Sequence, residues 1–230
     1  MKERQTRSNG TAILYEADLG VTPEPGWFQS DWWAGQDKAG SDLGGRGRAL
    51  VVETPVGRAV LRRFCRGGLM QPILQDRYLR AGADQSRSFR EFRVLAELRA
   101  QLLPVPEPLA ASYEPVGLIY RAGLLTRLIP DSCQLAEVAG DMPGGAWSAL
   151  GVTLRRFFRA GLVHPDLNAR NILVDQSGRW YLLDLDRARI LDHAAPGRGM
   201  LARLERSLEK VVRPGWRPGF EAHVLGSQDE

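Results

Sequence analysis

Short apolar runs bounded by turn residues crowd the first half of the chain, while apolar positions at helical spacing crowd the second. Ala49 to Glu53 reads as a strand, Thr54-Pro55-Val56-Gly57 as a turn, and Arg58 to Arg63 as a second strand. From Ser86 to Ala100, Phe89, Phe92, Leu95, Ala96 and Leu98 follow the period of a helix with Arg and Glu between them, and Pro104, Pro106 and Pro108 lie beyond its end. Leu109 to Ser112 and Leu118 to Leu128 predict further strands. Gly145 to Gly161 predicts a helix with Trp147, Leu150, Leu154, Phe157 and Phe158 on its apolar side. A short hairpin comes next, Ile172 to Val174 and Trp180 to Leu183 across Gln176-Ser177-Gly178. The last helix runs from Met200 to Val212 with Leu201, Leu204, Leu208 and Val211 on one face. Residues 1–40, rich in glycine and holding Trp27, Trp32 and Trp33, show no such period and predict an irregular lead-in packed on the strand-rich region.

Strands first and helices after argue for the α+β class, a sheet-rich lobe over residues 41–128 and a short helical one over 129–230. Ordinary globular composition, with 43% hydrophobic and 25% charged residues, excludes a disordered or collagen-like chain. Thirty-one Lys and Arg against 27 Asp and Glu leave a net charge of +4, too little to define a nucleic-acid binder. Cys65 and Cys133 are too few for a disulfide scaffold and fit a reducing cytoplasm. The polar, basic N-terminus is no secretory signal, and no stretch approaches the roughly 18 apolar residues of a spanning helix.

The chemistry concentrates in His164-Pro165-Asp166-Leu167-Asn168-Ala169-Arg170-Asn171, followed by Leu182-Leu183-Asp184-Leu185-Asp186. Phosphoryl transfer needs a carboxylate to orient or deprotonate the attacking hydroxyl, a task that suits Asp166. It also needs oxygen ligands for the Mg²⁺ that accompanies nucleotide phosphates, a task for Asn171 and Asp184. Gly44, Gly45 and Gly47, just before the first strand pair, let backbone N–H groups approach phosphate or serve as a plain hairpin entry.

The segment resembles the catalytic loop and metal motif of the protein-kinase-like superfamily, H-x-D-x-x-x-x-N followed by an Asp-led motif. Arg66-Gly67-Gly68-Leu69, Tyr78-Leu79, Arg87-Ser88-Phe89-Arg90-Glu91-Phe92, Pro104-Val105-Pro106 and Leu201 to Leu208 are similar to the bacterial 3-deoxy-D-manno-octulosonic acid (Kdo) kinases. The resemblance runs from about Trp32 to the C-terminal helix. It implies a two-lobed protein-kinase-like fold with ATP between the lobes, Asp166 as catalytic base, and Asn171 and Asp184 as Mg²⁺ ligands. It further implies Glu91 as partner of the strand cation that reaches the nucleotide phosphates. Where most kinases have Lys, this strand offers Arg62 or Arg63, and a one-residue slip turns the side chain to the other face.

Pro165 stands where regulated protein kinases have Arg, and only 46 residues follow Asp184, so no protein substrate is expected. The implied acceptor is the Kdo sugar of a lipid A precursor at the cytoplasmic face of the bacterial inner membrane. From Arg58 to Arg93 the chain holds nine Arg and no Lys against Asp76, Asp84 and Glu91. With Ile73, Leu74, Tyr78 and Leu79 interleaved, the run predicts either a solvated helix face or a surface for an anionic membrane. Two other functions remain open at this point: a phosphotransferase for another small molecule of the aminoglycoside type, whose cationic substrates the Arg-rich run disfavours, and a catalytically silent binding module.

Overall fold

The computed structural model describes residues 2–36, 39–42, 49–64, 82–117 and 119–212, with backbone only at 39–42. The chain divides into two compact units, one of Met1–Glu97 with Glu107–Leu128, the other of Leu98–Pro106 with Ile129–Glu230.

The first unit is built on one antiparallel sheet of seven strands: β1 (Glu3–Ser8), β2 (Thr11–Glu16), β3 (Ala39–Asp42), β4 (Ala49–Thr54), β5 (Gly57–Phe64), β6 (Pro108–Val116) and β7 (Ile119–Arg127). Their order across the sheet is β1-β2-β6-β7-β5-β4-β3. The β4–β5 turn forms as expected: the Thr54 hydroxyl donates to Gly57 O at 2.6 Å and accepts from Val56 N–H at 3.2 Å. Short helix α1 (Ser30–Ala34) precedes β3, and helix α2 (Arg87–Ala100) lies between β5 and β6. Helix α2 buries Phe89, Phe92, Leu95 and Leu98, and Ser88 Oγ donates to Ser112 O on β6 at 2.8 Å.

The expected irregular lead-in is the main correction. Residues 3–16 form the hairpin β1–β2, turned by Asn9 (φ 48°) and Gly10 (φ 79°) with Ser8 opposite Thr11. Asn-Gly in a two-residue loop is a strong hairpin signal, because both positions need positive φ. The strand pattern is hidden because β1 is a polar edge strand, exposed along nearly its whole length, while β2 is buried almost throughout. Trp27 and Trp33 are core residues, and half-buried Trp32 packs against them. Trp33, within α1, is fully buried, and its Nε1 donates to Trp27 O at 2.8 Å. Both rings join Ile13, Tyr15, Leu61, Leu109 and Leu125 in one cluster.

The second unit holds β8 (Ser132–Gln134), α3 (Leu135–Val138), α4 (Gly144–Arg159), β9 (Leu162–Val163), β10 (Ile172–Asp175), β11 (Trp180–Leu182), β12 (Arg189–Ile190) and α5 (Gly197–Leu208). The strands pair as β11-β10-β8 and β12-β9. Just past the end of helix α4 stands Gly161, whose φ of +79° is the left-handed stop that favours glycine. Strand β9 starts at the next residue, so this one turn sets where the candidate catalytic loop begins.

A Cβ on Gly161 would stand 2.1 Å from the carbonyl oxygen of Leu191, which is fixed backbone. Gly161→Ala is therefore expected to destabilise the fold by about 2 kcal/mol or more, combining left-handed strain with the clash. Urea unfolding checks this; a loss below about 0.5 kcal/mol would show that the turn relaxes freely.

Candidate active site

The loop between β9 and β10 is ordered from inside. Leu167, Ala169 and Ile172 are buried, which anchors every second or third residue and turns the polar ones between them outward. Asn168 caps the single 3-10 turn Ala169–Asn171, its Oδ1 accepting from Arg170 N–H at 2.9 Å. The backbone carbonyl of Asp166 accepts from Asn168 Nδ2 and from Asn171 Nδ2, each at 2.9 Å. A carbonyl only accepts, so the amide of Asn171 is oriented with Nδ2 toward Asp166 and Oδ1 as its oxygen on the other side. From the far end, Leu183 N–H donates to Asn171 O at 2.9 Å, which brings the residue before Asp184 onto the loop. Asp184 itself has φ 58°, a left-handed conformation that Asp tolerates better than most residues, and buried Leu185 follows it. Three of the expected residues, Asp166, Asn171 and Asp184, thus share one hydrogen-bonded frame.

His164 braces this frame rather than facing solvent. It is buried, and its Nε2 donates to Leu183 O at 3.0 Å, while its backbone N–H meets the Met200 sulfur at 3.1 Å. Burial holds its pKa below the usual histidine value. The Leu183 carbonyl and the carboxylates of Asp184 and Asp166 oppose that shift, and Arg203 adds to it.

The Asp166 carboxylate meets a partner that the motif alone does not point to. Arg203, on α5, donates from Nε to Asp166 Oδ1 at 3.1 Å and again from Nη2. Both side chains are about half exposed. Ser207, one turn further along α5, accepts from Ala169 N–H at 3.1 Å and seats the helix on the loop.

In the first unit, Arg62 on β5 pairs with Glu91 on α2, a carboxylate only 2% exposed. The Arg62 guanidinium also lies 4.7 Å from the centre of the Phe64 ring. Arg63 instead donates to Ser30 Oγ at 3.1 Å, so of the two candidates Arg62 faces Glu91. Gly44, Gly45 and Gly47 lie outside the described residues, as do Arg66, Arg77 and Arg80 with the interleaved Ile73, Leu74, Tyr78 and Leu79. Several described members of the Arg-rich run have partners within their own unit: Arg58 with Glu53, Arg62 with Glu91, and Arg93 with Glu3 and Asp84.

An oxygen donor set of one amide and one carboxylate fits Mg²⁺, which keeps waters and nucleotide oxygens for its remaining positions. No cluster of three or more His, Cys, Asp or Glu side chains occurs among the described residues, so a thiolate or imidazole metal centre has no counterpart among them.

Comparison with known proteins agrees with this chemistry. The model of the lipopolysaccharide kinase (Kdo/WaaP) family matches residues 30–220. A 3-deoxy-D-manno-octulosonic acid kinase of Xanthomonas oryzae pv. oryzae is 44% identical over 210 residues, covering 90% of this chain and 84% of its own. Proteins of the same name from Xylella fastidiosa and Stenotrophomonas maltophilia are each 43% identical, over 202 and 213 residues, covering 87% and 91% of this chain and 81% and 82% of theirs. A solved structure of WaaP in complex with acyl carrier protein superposes with a TM-score of 0.55 at 18% identity, covering 89% of this chain and 86% of that one. That likeness establishes the fold, kinase-like and α+β.

His164 is neutral in the folded protein, and its folded pKa lies below its unfolded value. Its stabilising contribution is therefore complete above the unfolded pKa of about 6.5 and is lost as pH falls toward the folded value. His164→Gln, which keeps a donor toward Leu183 O but cannot titrate, is expected to lose less stability than wild type between pH 7.5 and 5. Parallel pH profiles in urea melts would show that the imidazole charges without cost.

Proposed function

The chain belongs to the lipopolysaccharide kinase (Kdo/WaaP) family, and from that premise we propose that it transfers the γ-phosphoryl group of ATP to a hydroxyl of the Kdo sugar on a lipid A precursor, in lipopolysaccharide inner-core assembly. The observation that carries the reading is the pair of hydrogen bonds accepted by the Asp166 carbonyl, which leaves a carboxylate and an amide oxygen held on one short loop.

In this reading Asp166 receives the acceptor hydroxyl. Its carboxylate orients the oxygen for in-line attack and takes the proton as the new phosphoester bond forms and the bond from the γ-phosphorus to the departing ADP breaks. Asn171 Oδ1 and the Asp184 carboxylate would hold Mg²⁺, which when bound neutralises phosphate charge and polarises the transferring group. Arg62, held by its pair with buried Glu91, would supply positive charge to the nucleotide phosphates in the role that Lys has in other kinases. The backbone of Gly44, Gly45 and Gly47 would cover those phosphates. His164 keeps the loop and the segment leading to Asp184 in register through Leu183 O.

No helix among the described residues is long and apolar enough to cross a membrane. A lipid-borne acceptor then calls for docking at the surface, and the Arg-rich run with its interleaved apolar residues suits the anionic cytoplasmic face of the inner membrane.

The test is transfer of radiolabel from γ-labelled ATP with Mg²⁺ to Kdo-bearing lipid A precursor, beside the same precursor without Kdo. Label is expected on the Kdo-bearing lipid alone. Asp166→Asn is expected to lower kcat by about 10²–10⁴ with an unchanged circular dichroism spectrum. Label on the Kdo-free lipid, or full turnover by the folded Asn variant, would overturn the acceptor or the role of Asp166 respectively.

A further inference from the structure

Helix α5 has two faces with different work. Leu201, Leu204 and Leu208 are buried, as the spacing predicts, and Met200 with them, but the helix ends at Leu208, short of the expected Val212, and Val211 is exposed. Arg203 and Arg206, three residues apart, stand on the opposite side, with Lys210 in the turn just past the helix end, and all three are exposed. That basic face opens on a cavity of about 430 Å³ lined by Asn168 and Arg170 of the catalytic loop and by Arg203, Arg206, Ser207 and Lys210. Such a volume is in the usual range for small-molecule pockets, about 300–1,000 Å³. Four cations line it, and no acidic side chain does so among the described residues.

Cations in a last helical turn also favour the helix dipole, but that effect fades within one turn. It accounts for Arg206 and not for Arg170, which arrives from a different element. Nor does it account for Arg203, which points at the Asp166 carboxylate. Convergence of four like charges costs free energy that an anion would relieve. The Ser207–Ala169 bond fixes the two contributing elements together, so the cluster is held in place rather than splayed into solvent.

Given the kinase reading, on which this inference rests, we propose that this pocket is the acceptor's anion site. It takes the carboxylate of the sugar acid whose hydroxyl lies against Asp166. Arg203 is the link between the two: it neutralises Asp166 before the acceptor arrives and turns to the incoming carboxylate afterwards, leaving Asp166 to the hydroxyl. The planar guanidinium suits this exchange because one fork binds either carboxylate. A sugar acid carries carboxylate and hydroxyl on one ring, the same scale as the single guanidinium that separates pocket from base. Specificity for an acidic sugar results, since a neutral one would leave both the cation cluster and the Asp166–Arg203 pair as they are.

The experiment measures steady-state kinetics of the full chain with Mg·ATP and Kdo-bearing lipid A precursor, comparing wild type with Arg206→Gln and Lys210→Gln. Both side chains are exposed, so the fold is expected to survive, as thermal melting verifies. The KM for acceptor is expected to rise about tenfold in each variant, the loss of one charge-assisted contact, with the KM for ATP within about twofold. With the Kdo carboxylate converted to its methyl ester, wild type is expected to lose a similar factor and Arg206→Gln to lose nothing further. An unchanged acceptor KM, a raised KM for ATP alone, or an equal loss on acid and ester would each overturn the proposal. A loss that persists on the ester and vanishes on dephosphorylated lipid A would assign the pocket to a lipid phosphate and overturn the carboxylate. Should wild type fail to phosphorylate the Kdo lipid at all, the kinase reading itself falls, an outcome distinct from active enzyme with indifferent variants.

Discussion

The backbone carbonyl of Asp166 accepts two side-chain amides at once, from Asn168 and Asn171, and the candidate site depends on that pair of bonds. Each bond in isolation is worth about 1 kcal/mol. Together they fix the direction of a carboxylate, the orientation of an amide oxygen and the entry into β10. Leu167, Ala169 and Ile172 hold the loop backbone against the core beside that carbonyl. Asp184 joins through backbone alone, by the Leu183–Asn171 bond. Kinase chemistry leaves the protein little covalent work, so on the proposed reading rigid placement of these three oxygen-bearing side chains supplies most of what the reaction requires.

Much of this was legible because it is local. Asp166 and Asn171 sit five residues apart in one loop, and Asp184 comes at the end of a short hairpin, so type and spacing together define a geometry. Helix α2 and the β4–β5 hairpin were legible for the same reason, with repeating apolar positions and turn residues at fixed offsets. What stayed hidden was non-local or too short. Strands β8, β9 and β12 and helix α3 have two to four residues each, below any period. Strand β1 carries no apolar face, so only Asn9-Gly10 announced the first hairpin. The choice between Arg62 and Arg63 depended on which side of β5 carries α2, a question that strand alternation poses and cannot answer.

Arg203 was hidden for a different reason. It is 37 positions from Asp166, and no spacing rule connects a loop to a helix packed upon it. Its signal was the basic stripe on the far side of an otherwise ordinary amphipathic helix. Such a stripe usually means solvent. Only when Ser207 is seen to bond Ala169 does the stripe face the chemistry instead. Charge therefore matters here by where it converges, since the chain as a whole carries only +4.

In the proposed reaction two guanidinium–carboxylate pairs serve the chemistry, and their surroundings give them opposite characters. Arg62–Glu91 includes a carboxylate that is almost fully buried. Removing Arg62 there would leave a buried carboxylate without its guanidinium, at about 3–5 kcal/mol, so the pair is costly to break. Asp166–Arg203 is half exposed on both sides, and water already screens it. Pairs of that kind contribute about 0–1 kcal/mol, small enough for an incoming anion to displace without endangering the fold. On the proposed reading, the cation that stands still is placed against a buried carboxylate, and the one that changes partners against a wet one. On that reading, exchanging the two environments would give a nucleotide site that drifts and a base that never comes free.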